Sequence, residues 1–249
     1  MHIDSHQHFW KYNPAEYEWM TDSMSDLQCD FLPPDLKLLI DQTGINGTIA
    51  VQARQKLEET EWLLELSDSN DFIKGVVGWV DLMSPEIKDT LETFSQHPNL
   101  KGVRHLIHDE PDERYILEPD FLRGLGSLQA FDLTYDLLLY PNHLSYTVEA
   151  VKQFPEQKFV LDHIAKPLIK DGTFAPWDKN IRELAKLENV YLGNSYSNNY
   201  IKSSLKNSSA KFKEVKYPEK VAAKLLSENK IVGWFQGRHE YGPRALGSR

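Results

Sequence analysis

The stretch LTYDLLLYPNHLSYTVEAVKQFPEQKFVLDHIA, residues 133–165, decides the fold. Residues 133–140 read as a strand, and 145–154 as a helix opened by Ser145 as N-cap. Residues 158–165 read as a second strand. Both strands are apolar on both faces, as expected when a parallel sheet is covered on both sides by helices. Upstream, strands are expected over 2–9, 47–53, 73–82 and 100–107, with helices over 32–44, 59–69, 85–96 and 118–129. Downstream come a helix over 175–187 and a strand over 189–194. Seven strands, each but the last followed by a helix, make a βα repeat. Closing such a repeat into a barrel asks for an eighth unit.

Composition narrows the function classes. The chain has 249 residues, 41% hydrophobic and 26% charged, with a formal net charge of −9. An acidic chain without a lysine/arginine block argues against nucleic acid and anionic membrane surfaces as partners. Cys29 is the only cysteine, so no internal disulfide is available. No apolar run approaches the ~20 residues that span a bilayer. The N-terminus lacks the basic-then-apolar pattern of a signal peptide, so a cytoplasmic protein is expected.

The chain opens MHIDSHQHFW, residues 1–10. Strand side chains repeat with period two, so Asp4, His6 and His8 are expected on one face. In a βα barrel that face can be the interior, and sites lie at the C-terminal strand ends. His6 and His8 are then placed to ligate one divalent metal. A long loop follows, with Tyr12, Pro14, Tyr17 and Trp19. Other strand ends are also polar: Gln52 and Arg54 on the second, Arg104 and His105 on the fourth with His108 just beyond, Asp162 and His163 on the sixth with Lys166 close behind. Buried polar groups need partners, and several at equivalent strand ends are what a barrel-mouth site looks like.

IDSHQHFW at the start, GVRHLIHDEPDERYI in the middle and LDHIAKP at the sixth strand resemble the amidohydrolase-2 group of the amidohydrolase superfamily, in its sugar-lactonase (fuconolactonase and rhamnonolactonase-like) branch. The resemblance covers residues 1–191 and implies an α/β fold, a TIM-type (β/α)8 barrel, here truncated after about seven strands. It implies a hydrolase of a small-molecule sugar lactone with a bound divalent metal, zinc foremost. Carried over, His6, His8 and His163 are the metal ligands, and His163 with Asp162 the catalytic residues. Arg104, His105, Gln52, Arg54 and Lys166 face substrate. A metal polarises the lactone carbonyl and acidifies bound water. A carboxylate takes the water's proton, and cations hold the developing oxyanion.

Two departures stand against that pattern. The family's eighth-strand S-D-W-P motif, whose aspartate is the expected general base, has no counterpart in this chain. After residue 191 the chain turns to LGNSYSNNYIK, a polar Ser/Asn/Lys-rich stretch, then a helix over 219–230 and a strand-like IVGWFQG over 231–237. The end, KIVGWFQGRHEYGPRALGSR, resembles nodulation-type O-carbamoyltransferases near their C-terminal domain. Arg238 and Arg244 suit phosphate oxygens, but at the extreme C-terminus they read first as a solvated basic tail. The expected organisation is a barrel over 1–191 and a heterologous α/β segment over 192–249, with IVGWFQG available as a makeshift eighth strand and Glu240 as the nearest substitute base. A catalytically inactive chimera and a carbamoyltransferase-related protein are the alternative readings.

Overall fold

β1 (Ile3–Gln7), β2 (Gly47–Val51), β3 (Ile73–Gly78), β4 (Leu100–His105), β5 (Thr134–Leu137), β6 (Phe159–Leu161) and β7 (Val190–Tyr191) form one sheet. Each strand pairs in parallel with the next, in chain order. The structure, a computed structural model, describes residues 2–191 and, beyond them, Lys213, residues 215–217, Val221, Ala222, Lys224 and Leu225. The makeshift eighth strand over 231–237, Arg238, Glu240 and Arg244 lie outside the described residues.

The helices are α1 (Pro33–Thr43), α2 (Leu57–Ser69), α3 (Ile87–Phe94), α4 (Pro119–Leu125), α5 (Leu144–Lys152) and α6 (Trp177–Leu184). Proline stands in the first turn of α1, and Gly44 closes it at φ 74°, a left-handed position that glycine takes without a Cβ clash. Ser145 is not the N-cap of α5: a 3-10 turn over Pro141–His143 runs directly into the helix, which places Ser145 inside its first turn.

Side chains from both faces of the sheet are buried. Leu63, Val76, Val103, Leu125, Tyr135, Leu137 and Phe159 belong to one core that joins strands to the helices around them. The sheet curls, because residues of β1, β4 and the end of β6 meet across it: Arg104 reaches both His6 and Asp162. Among the described residues no helix is long and apolar enough to cross a membrane.

The long loop after β1 has a core of its own. Trp10, Tyr17 and Met20 are buried together, with Tyr12, Leu27 and Phe31 packed against them, and Trp10 bridges to Phe31 through two backbone bonds of 3.0 Å.

Strands β1 to β6 are all shorter than their sequences suggest, and β1 and β6 also depart from regular geometry. In β1 the register with β2 shifts between Asp4 and Gln7, so three steps on one strand face two on the other. That bulge breaks the period-two alternation, and the successive residues His6 and Gln7 are both buried. Asp4 Oδ1 accepts from the backbone amide of His6 at 3.2 Å, and Asp4 is not among the residues gathered with His6, Asp162 and His163. β6 ends at Leu161, and residues 163–166 turn left-handed instead of the strand extending to Ala165.

Candidate active site

The end of β6 is built against local preference. His163 (φ 50°), Ile164 (45°), Ala165 (57°) and Lys166 (45°) all stand in the left-handed region, and none is glycine. The left-handed helix crowds Cβ against the following carbonyl and costs about 1–2 kcal/mol per residue. Strain of this kind collects at functional sites, where the surroundings over-determine it.

The turn brings His163 to β1. The rings of His6 and His163 lie 4.8 Å apart, and those of His6 and His8 5.0 Å apart. One donor atom each from His6, Asp162 and His163 falls within 4.8 Å of the others. The resemblance assigns His6, His8 and His163; the structure gathers His6, Asp162 and His163, with His8 alongside.

Arg104 enters this cluster from β4. It is 3% exposed, and its Nη1 donates to Asp162 Oδ2 at 2.8 Å and to His6 Nε2 at 3.2 Å. Its Nη2 donates to the carbonyl of Gln52, and Gln52 Nε2 returns a bond to the Arg104 carbonyl at 3.1 Å. Gln52, fully buried, thus braces the guanidinium rather than facing open space.

These contacts fix tautomers. A guanidinium only donates, so His6 Nε2 carries a lone pair and its proton sits on Nδ1, which faces Asp162 Oδ1 at 3.5 Å. His8 Nδ1 donates to the carbonyl of Val51 at 2.8 Å, which leaves its Nε2 as a lone pair too. Burial pushes both imidazoles down, that of His8 well below its ordinary range, so both are neutral near pH 7. Burial acts on Asp162 in the opposite sense, but His6 and Arg104 outweigh it and hold the carboxyl well below the usual range.

Other expected residues stand elsewhere. His105 follows Arg104 in a regular strand and points the other way. Its Nδ1 accepts from Trp79 Nε1 at 3.2 Å, and its Nε2 donates to Glu110 at 2.7 Å. Its ring stacks on Tyr115 at 5.1 Å. Arg54 pairs with Glu16 and lies over the Tyr17 ring at 5.4 Å, which ties it to the loop after β1. The Nζ of Lys166 lies 4.9 Å from the Tyr140 ring, which also meets His108 at 5.2 Å and His143 at 6.3 Å.

Two residues escaped the sequence reading. Asp136, 5% exposed, stands opposite Arg104 in the β4–β5 register. Burial, then the charge of Asp162, push its carboxyl well above the usual range, which favours its protonated form. One acidic residue in the middle of the apolar run LTYDLLLY was the available signal. Glu59, fully buried at the start of α2, accepts from the amides of Ala53 (3.0 Å) and Arg54 (2.7 Å) and fixes the loop after β2. Nothing in its local sequence marked it.

The chain matches the amidohydrolase family (Amidohydro_2) over residues 3–228. It belongs to that family. Residues 223–249 match the carbamoyltransferase C-terminus. Two curated proteins named L-fucono-1,5-lactonase are similar: one of Burkholderia multivorans, 38% identical over 196 residues, and one of Burkholderia ambifaria, 32% identical over 189 residues. Each alignment covers 76% of this chain, and the chain spans only about two thirds of these relatives, 66% and 65% of their lengths. A crystal structure of an amidohydrolase from Burkholderia multivorans with bound zinc is 38% identical, with a TM-score of 0.73 over 76% of this chain and 68% of that one. The barrel fold and the family expected from the three sequence motifs are thereby borne out.

Proposed function

We propose that this family member is a hydrolase that opens a sugar lactone, with L-fucono-1,5-lactone the first substrate to try. One observation carries the reading: His6, Asp162, His163 and Arg104 converge from three strands on one point of the barrel interior. The names of the two curated relatives supply the substrate class.

The donor set fits a divalent ion. Two imidazoles and a carboxylate suit zinc, and His6 Nε2 already directs its lone pair at a cation. When bound, such an ion polarises a carbonyl and acidifies a water molecule. His6 and Asp162 are both engaged with Arg104, so an ion held by them would have to share these groups with the guanidinium. Arg104 supplies fixed positive charge where a ring-opening oxyanion develops. Asp162 is ionised but engaged with Arg104, and burial holds the Asp136 carboxyl toward its protonated form; neither is a ready base. With no S-D-W-P aspartate in the sequence, turnover is expected about 10²–10⁴-fold below that of a lactonase with its base intact.

The test is hydrolysis of L-fucono-1,5-lactone by the full chain, with and without zinc, followed by acid release. Slow turnover that Arg104→Ala removes supports the reading. A rate equal to the uncatalysed background at every zinc concentration contradicts it and leaves the inactive-barrel alternative.

The two-part organisation, 1–191 and 192–249, is part of the same proposal. The polar composition after Tyr191 and the carbamoyltransferase match at 223–249 support it. The amidohydrolase match running to residue 228 weighs against a boundary that early. A carbamoyl-transferring activity would need far more of that second family than this segment, which falls short of a usual domain. A cytoplasmic setting is the expectation from cysteine usage.

A further inference from the structure

The left-handed run His163–Lys166 contains a β-branched residue, Ile164, the residue type least suited to that region. Something outside the run must hold it. Within it, the Lys166 amide donates to the His163 carbonyl at 2.9 Å. From outside, the indole Nε1 of Trp177 donates to the Ile164 carbonyl at 2.8 Å. Trp177 opens α6 and packs against the main core, so the donor is itself fixed. Ile164 and Ala165 are both buried.

We propose that Trp177 is a positioning residue of the candidate site: its indole N–H keeps the turn after β6 left-handed and so aims His163 at His6 and Lys166 at Tyr140. A strand continued past Leu161 would alternate its side chains and send His163 away from the face that Asp162 serves. The left-handed turn delivers both neighbours to one point. Trp177 touches neither ligand atoms nor substrate, and acts only through the backbone between them. The inference rests on the reading of His6, Asp162 and His163 as the working site, but its structural half can be measured alone.

Two substitutions in the full chain test it. Trp177→Phe keeps an aromatic ring and removes the donor. Ala165→Gly favours the left-handed conformation and removes one methyl group. The readouts are the nuclear Overhauser effect between the His6 and His163 rings, in histidine-labelled protein, and the affinity for zinc alone by calorimetry. Trp177→Phe is expected to lose the ring-to-ring effect and to weaken zinc binding by about 10–100-fold, as supporting partners of metal ligands do. Adding Ala165→Gly to it is expected to restore both. If Trp177→Phe does not fold, 3-benzothienylalanine at position 177, an isostere with sulfur in place of the N–H, is expected to give the same loss. Retention of the ring-to-ring effect and of zinc affinity, with only a lower unfolding temperature, would overturn the proposal. A wild-type chain that shows the ring contact but neither binds zinc nor hydrolyses lactone would refute the functional reading, and the positioning role would then stand or fall on the ring contact alone.

Discussion

The ends of β4 and β6 solve the same problem in opposite ways. Each carries a basic or acidic residue followed by a histidine, Arg104–His105 and Asp162–His163. β4 stays regular through His105, so only Arg104 reaches the interior, and His105 is spent on Trp79, Glu110 and Tyr115. β6 stops at Leu161 and turns left-handed, and both Asp162 and His163 reach His6. A regular strand can offer the barrel interior one of two neighbours; a strained one can offer both.

The largest effect is expected at the shared node of the two ends. Asp162→Ala leaves the buried Arg104 guanidinium without its carboxylate, and such uncompensated charges cost about 3–5 kcal/mol. Urea unfolding of the two proteins measures it, and a loss below about 1 kcal/mol would contradict a buried, tightly held pair.

A pH series sharpens the same point. The Asp162 carboxyl is depressed in the folded protein, so its contribution is fully present above about pH 4, the unfolded carboxyl range, and is lost as pH falls below it. Asp162→Asn is therefore expected to flatten the acid limb of the stability curve relative to wild type. An unchanged limb would mean that other carboxylates dominate it.

A smaller effect separates the two histidines. His105→Phe keeps the stacking on Tyr115 but removes two hydrogen bonds, and is expected to cost about 1–2 kcal/mol of stability. Lactone turnover should change little, whereas His163→Ala should abolish it. Comparable losses of turnover would erase the distinction between the two strand ends. At Gly124, a Cβ would stand 2.0 Å from the Leu82 carbonyl oxygen. Gly124→Ala should lower the unfolding temperature by a few degrees, about 1–3 kcal/mol, without touching zinc binding.

The repeat of strands and helices was legible because apolar runs and proline or glycine punctuation are local. So were the polar strand ends, and the three family motifs placed them in one barrel. What the sequence did not disclose is where a strand breaks its own period. The bulge in β1 depends on pairing with β2, and the turn at His163 depends on packing and on Trp177, more than ten positions away. The alternation that sends His105 away from Arg104 was available from the strand period. The burial of Asp136 was hinted at by its apolar neighbours, but the upward shift of its carboxyl, from burial and then from the charge of Asp162, needs the folded barrel.

Zinc titration by calorimetry of wild type, His163→Ala and His105→Ala tests the contrast between the strand ends most directly. The expected result is one ion bound by wild type and by His105→Ala with similar affinity, and none by His163→Ala. Equal binding by all three, or loss in His105→Ala alone, would contradict a site assembled by the left-handed end of β6.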